Sequence, residues 1–254
     1  MIIDTHTHLY STEFNSDIAE VIERAEKEDV QKFCLPAIDS ETHDAMIALE
    51  TRYPGKCYAM MGLHPCSVKE NYKEELAIAA QWFEKRKFVA VGEIGLDHYW
   101  DKTFAKEQVE AFQTQIDWAF QYKLPIVIHT RDAMQETINI VKERQNGSLA
   151  GIFHCFSGSY ESAKEIIKAG FYIGIGGVLT YKKANLPEVL EKIDLQHMVL
   201  ETDAPYLTPV PFRGKRNESS YLKYIVEKLA EVKHTTVEEI CSVTSANAQK
   251  IFGL

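Results

Sequence analysis

The chain opens Met1-Ile2-Ile3-Asp4-Thr5-His6-Thr7-His8, two isoleucines followed by polar side chains at every second position. In a β-strand, residues i, i+2 and i+4 share a face, so Asp4, His6 and His8 would line up together. Two imidazoles side by side on one strand can close on a single metal ion. Alone, a His-x-His pair is better read as core or turn histidines. The metal reading gains its force from ligand-type residues that recur at equivalent places downstream.

Seven more short apolar runs follow the first, Ile2–His6: Lys32–Ala37, Cys57–Gly62, Phe88–Glu93, Pro125–His129, Ala150–His154, Phe171–Ile175 and Met198–Asp203. Each is continuously hydrophobic, as strands buried on both faces are. Amphipathic segments separate them: Asp17–Glu28, Thr42–Thr51, Lys73–Arg86, Phe104–Tyr122, Ala133–Arg144, Glu161–Ala169 and Leu186–Lys192. Ser220–Val232 and Val237–Phe252 close the chain. Ile18, Val21, Ile22 and Ala25 keep helical spacing. Gly170 sits where a helix-ending glycine is expected, and Thr236 with Glu239 forms a capping-box pattern. Eight strand–helix alternations in 254 residues predict an α/β fold, a TIM-like (β/α)8 barrel, as one domain over residues 1–254. A doubly wound open sheet is the competing arrangement.

Composition narrows the class. Five cysteines, without a Cys-x-x-Cys pair, read as reduced thiols in a cytoplasmic protein. No leader pattern or membrane-length apolar run is present, and nothing calls for an obligate protein partner. A net charge of −9 argues against a broad basic surface for gripping nucleic acid. A metal pair can invert that sign locally, so a phosphate-bearing substrate stays open.

In such a barrel, chemistry gathers at the C-terminal ends of the strands. The polar residues there are His6, His8, Glu93, His129, His154 and Asp203, with His64 just beyond the third run. Four histidines and two carboxylates exceed the needs of one tetrahedral zinc, so they predict two divalent ions bridged by Glu93. His6, His8 and Asp203 would complete one ion, and His129 with His154 the other. Two dications against two carboxylates leave about +2, which attracts an anion. Such a pair suits in-line displacement at phosphorus by a metal-activated water, with Asp203 as its base and Glu93 holding the pair together. Imidazole-rich ligands lean towards Zn²⁺ or Mn²⁺, whereas nuclease chemistry often uses Mg²⁺.

Around this set the readings divide. Asp4 and Glu201 either brace the ligands from behind or pair with a basic residue. Arg131 either clamps phosphate or makes a loop ion pair. His64, extended before Pro65, either touches phosphate or ends a turn. Asp132 reads as a helix N-cap, and Cys155 as packing on the far side of its strand. Lys182, Lys183, Arg213, Lys215 and Arg216 form either a funnel for a nucleic-acid backbone or a solvated surface. Tyr99, Trp100, Tyr181, Tyr206 and Phe212 either stack bases or pack their own loops.

The assembled motifs resemble the TatD family of metal-dependent deoxyribonucleases, within the amidohydrolase-like barrels. The resemblance is carried by Asp4-Thr5-His6-Thr7-His8, Gly62-Leu63-His64-Pro65, Gly92-Glu93-Ile94-Gly95-Leu96-Asp97 and Ile128-His129-Thr130-Arg131-Asp132. It continues through His154-Cys155-Phe156-Ser157-Gly158, Glu201-Thr202-Asp203-Ala204-Pro205 and Arg213-Gly214-Lys215-Arg216-Asn217-Glu218. It implies a TIM-like barrel, two divalent cations at the six positions named above, and hydrolysis of DNA phosphodiesters, commonly from the 3′ end. Ser219, where the family often has proline, and His98, where it often has tyrosine, depart in loops near the substrate. The nucleic-acid substrate expected is single-stranded DNA ends.

Other classes compete. An amidohydrolase acting on a C–N or ester bond of a small molecule often bridges its metals with a modified lysine from strand four, where this chain has Glu93. A mononuclear site using His6, His8, His129 and Asp203, or a non-catalytic binding module, would also use this scaffold.

Overall fold

The computed structural model describes all 254 residues, Met1–Leu254. Strands and helices alternate as β1 (Ile2–Asp4), α1 (Ile18–Lys27), β2 (Val30–Leu35), α2 (Ser40–Arg52), β3 (Cys57–Ala59), α3 (Tyr72–Lys85), β4 (Val91–Asp97) and α4 (Ala105–Tyr122). They continue as β5 (Ile126–Arg131), α5 (Met134–Arg144), β6 (Gly151–Phe153), α6 (Tyr160–Lys168), β7 (Phe171–Ile175), α7 (Leu186–Glu191) and β8 (Met198–Leu200), followed by α8 (Leu222–Lys233) and α9 (Val237–Phe252). The paired strands are parallel, in the orders β1-β2-β3 and β4-β5-β6-β7-β8. A bridge between Met61 and Val91 joins the two sections. The other seam is closed where Thr5 N–H donates to Leu200 O at 3.0 Å and Asp203 N–H to His6 O at 2.9 Å. The result is the expected α/β barrel.

The alternation of a strand sorts the side chains into two cores. Ile3, Cys34, Met60, Ala90, Val127, Ile152 and Val199 fill the barrel interior, with Ala248 and Phe252 of α9 as its floor. Their neighbours Ile2, Phe33, Leu35, Ile126, Ile128, Phe153, Met198 and Leu200 belong to the larger core between barrel and helices. Burial on both faces explains why the runs read as continuously apolar.

Three local expectations are corrected. β1 ends at Asp4, so the two-residue period does not carry Asp4, His6 and His8 along one face. β4 begins at Val91 and runs to Asp97, which leaves Glu93 inside the strand rather than at its end. Its pairing with β5 shifts register between Val91 and Ile94, and this irregularity re-aims the Glu93 side chain. Asp132 caps nothing: α5 starts at Met134 after Ala133, and Asp132 itself turns at φ 53°. The Gly170 expectation holds, with φ 88°, and half of the capping box forms: Thr236 Oγ1 accepts the Glu239 N–H at 3.2 Å, while the Glu239 carboxylate accepts from the Thr235 hydroxyl instead of the Thr236 N–H.

Candidate metal centre

At the mouth of the barrel, Glu93 is 2% exposed and turns its two carboxylate oxygens to different neighbours. Oε2 lies 3.0 Å from His6 Nε2 and 3.8 Å from His8 Nε2. Asp203 Oδ1 completes that group, 3.7 Å from His6 Nε2 and 3.5 Å from His8 Nε2. Oε1 faces His129 Nδ1 at 2.9 Å, His154 Nε2 at 3.0 Å and His64 Nε2 at 3.3 Å. All six residues expected as ligands therefore meet around Glu93, and His64 joins them.

Partners behind the rings fix which nitrogen faces inward. Tyr10 donates its hydroxyl proton to Pro36 O at 2.6 Å, so its oxygen accepts from His8 Nδ1 at 2.8 Å and the His8 Nε2 lone pair faces Asp203. Asp97 Oδ2 accepts from His129 Nε2 at 2.8 Å and frees Nδ1 towards Glu93. Glu201 Oε1 lies 3.3 Å from His154 Nδ1. His64 differs: its Nδ1 accepts the Cys66 N–H at 3.0 Å, so its inward Nε2 carries a proton. It presents a donor where His8 and His129 present lone pairs.

The set fits divalent ions. His6 is fully buried, and neither of its ring nitrogens has a hydrogen-bond partner, a costly arrangement unless Nε2 is a ligand. Two donors each about 2.0–2.2 Å from one ion lie about 3.0–3.4 Å apart at right or tetrahedral angles. Most of the separations between Glu93 and its histidines, and that between His8 and Asp203, fall at or near that range. The electrostatics agree. Burial opposes charge on Glu93, yet His154, His6 and His64 hold it well below the usual carboxylate range. Burial likewise opposes charge on His154, but Glu93 and Glu201 raise it well above an ordinary histidine. Burial keeps His6 low, with His154 adding to the effect, which suits a neutral ligand. Positive charge is what this cluster is built to hold.

Asp4 has no basic partner. Its carboxylate accepts from Thr202 N–H at 3.0 Å, Thr202 Oγ1 at 2.6 Å and Ser219 Oγ at 2.7 Å, which anchors the segment leading into Asp203. Burial pushes its carboxyl up to about 7. Glu201, equally buried, accepts the Cys155 N–H, and Gly174 makes room for it, because a Cβ there would lie 2.3 Å from Glu201 Oε2. Cys155 does not pack on the far side of a strand. β6 ends at Phe153, the chain turns at Cys155 (φ 49°), and the thiol gathers with His154 and Glu201.

Sequence reasoning missed Asp97 and Tyr10 as partners of ligands. Asp97 was visible only within a motif, and Tyr10 only as the next step of the His6-x-His8-x-Tyr10 alternation. The inner charge count changes with them. Glu93, Asp203, Asp97 and Glu201 together match two divalent ions, so the surplus of about +2 disappears and attraction for an anion falls to nearby cations and N–H donors.

Those cations divide. Arg131 makes no ion pair; its guanidinium lies 3.7 Å from the Tyr99 ring centre and 5.2 Å from that of Trp100. Arg213 lies 3.8 Å over Tyr181, beside Lys182 and Lys183, in a groove of about 490 Å³. Arg216 leaves the expected funnel: it binds Asp17 at 2.6 and 2.8 Å. Phe212 stacks on Tyr221 at 4.6 Å and is loop packing, whereas Tyr99, Trp100 and Tyr206 are exposed.

A family model described as TatD related DNase matches residues 3–253. The chain is 43% identical, over 99% of both chains, to a Bacillus subtilis protein called uncharacterized metal-dependent hydrolase YabD. The crystal structure of YjjV, a TatD homologue from Escherichia coli, superimposes with a TM-score of 0.94 at 30% identity, covering 100% of this chain and 98% of that one. A TatD family hydrolase structure from Entamoeba histolytica shares the fold with a TM-score of 0.84 at 23% identity, over 99% and 97% of the two chains. No helix is long and apolar enough to cross a membrane.

Proposed function

Because the chain belongs to the TatD family of metal-dependent hydrolases, we propose that it hydrolyses DNA phosphodiester bonds, as a 3′–5′ exodeoxyribonuclease acting on single-stranded ends. The observation that carries this reading is the division of Glu93, one oxygen to each of two donor sets. His6, His8 and Asp203 would hold one divalent ion and His129 with His154 the other, with Glu93 common to both. Zn²⁺, Mn²⁺ and Mg²⁺ are the candidates. Such a pair, when bound, supplies a water acidic enough to attack near neutral pH and positive charge for the oxygens at phosphorus.

The chain's own groups take the remaining roles. The Asp203 side chain is 15% exposed against 2% for Glu93, so Asp203 is the carboxylate a water can reach. Despite its burial, His8, His154 and His6 keep Asp203 below the usual carboxylate range, ionised and ready to accept the attacking water's proton. His64 offers an N–H and Arg131 an unpaired guanidinium to the phosphate oxygens. Asp4 anchors the Asp203 turn, and Glu201 and Asp97 orient His154 and His129. The free cysteines suit the reducing cytoplasm in which we place the enzyme.

The test digests end-labelled single-stranded DNA with metal-stripped protein, adding each cation back separately. Cation-dependent shortening from the 3′ end is expected. Turnover of a small amide or ester, with no cleavage of any nucleic acid, would replace this reading with the C–N or ester hydrolase.

A further inference from the structure

Of the three tryptophans, Trp82 and Trp118 pack against the core, while Trp100 stands 70% exposed at the mouth with Tyr99 beside it at 52%. Exposing two neighbouring aromatic rings forgoes the stabilisation that burying them would give. Their rings meet edge to face, 4.9 Å between centres. Arg131, which has no carboxylate partner, lies 3.7 Å from the Tyr99 centre, so its charge remains free for an anion. The loop is tied to the metal centre through one carboxylate. Asp97 Oδ1 accepts the backbone N–H groups of Tyr99 at 3.0 Å and Trp100 at 3.1 Å, while Oδ2 takes His129 Nε2.

We propose that Tyr99, Trp100 and Arg131 form a stacking platform that seats an unpaired nucleobase while Arg131 holds the adjoining phosphate, so that the residues select a frayed or single-stranded end. The inference rests on the phosphodiester reading and deepens it. Flat aromatic surface accepts any base, because every base has a π-face, but it can reach that face only when the base is not stacked within a duplex. The neighbouring guanidinium makes this surface suited to a base with its phosphate rather than to an apolar side chain. The shared Asp97 ties the platform to His129, and the platform contributes binding of the strand rather than alignment of the reacting phosphate.

The platform can be tested apart from hydrolysis. Metal-stripped wild-type protein is titrated with a short single-stranded oligothymidylate while tryptophan emission is followed. Quenching is expected, and Trp100→Ala, which removes an exposed ring and keeps the backbone N–H, should lose it and bind about ten- to a hundredfold more weakly. With cations restored, the variant should show a raised KM and a nearly unchanged kcat on single-stranded DNA. An oligonucleotide with abasic residues at its 3′ end should erase the difference between variant and wild type. Equal quenching and KM in the variant would overturn the platform, as would a change in its mass in solution with oligonucleotide binding intact, since the surface would then belong to a second copy. Quenching without any hydrolysis would leave the platform standing and sink the phosphodiester reading.

Discussion

His129 and Asp97 are joined through Nε2 and Oδ2 at 2.8 Å, across the paired strands β5 and β4. The bond sets the imidazole tautomer and adds a negative charge behind a ring that faces Glu93. Although Asp97 is buried, this bond and the Trp100 and Tyr99 amides hold its carboxyl far below the usual range. Asp97→Asn keeps the shape and removes the charge. Metal affinity should fall about 10- to 100-fold, read by titrating metal-stripped protein. Unchanged affinity would show that His129 needs no orientation.

Tyr10 plays the corresponding part for His8. Tyr10→Phe leaves His8 Nδ1 without its acceptor and Pro36 O without its donor. A loss of about 1 kcal/mol in stability and a roughly tenfold loss in metal affinity are expected. Urea melts separate the two, and a variant destabilised without weaker metal binding would confine Tyr10 to the fold.

Glu93→Gln and Asp203→Asn should both abolish turnover, for different reasons. The first disturbs both donor sets, so elemental analysis should find fewer than two ions per chain. The second should bind metal more weakly at one set while retaining the other. Full activity in either folded variant would remove that residue from the mechanism.

Glu218 clasps the loop after β8 onto α1, accepting from Arg24 Nε at 2.8 Å and Nη2 at 2.7 Å. Burial pushes its carboxyl up, but Arg24 and Ser220 prevail and leave it below the usual carboxylate value. A depressed folded pKa contributes stability that is present above the unfolded value of about 4.3 and fades as pH falls through the lower folded one. Arg24 is half exposed, so the pair contributes only about 1 kcal/mol. Glu218→Gln should lower Tm by about 2–4 °C at pH 7, and the gap should close below about pH 4. A gap that persists in acid would point to packing instead of charge.

Much of this was legible because a barrel reports itself in the chain. Apolar runs mark strands that bury both faces, and a histidine or carboxylate at the end of such a run has no packing reason to be there. What escaped was set by geometry beyond the strand period. Glu93 reaches the mouth through a register shift inside β4, which no alternation announces. Cys155 turns at positive φ just after β6 and so leaves the strand's two faces altogether. Arg216 looked like part of a basic cluster, but its charge is taken by Asp17, a residue remote in sequence that only the closed fold brings near. Asp97 and Tyr10 act through another residue's unused nitrogen, and a sequence carries no mark of tautomers.

The seam between β1 and β8 has a consequence for how the protein is made. Thr5 Oγ1 and Leu200 O join there, 195 residues apart along the chain. A polypeptide leaving the ribosome carries His6 and His8 well before Asp203 follows. Glu93 can meet those two imidazoles earlier, but Asp203 reaches them only when β8 closes against β1, a step that also locks the first strand in place.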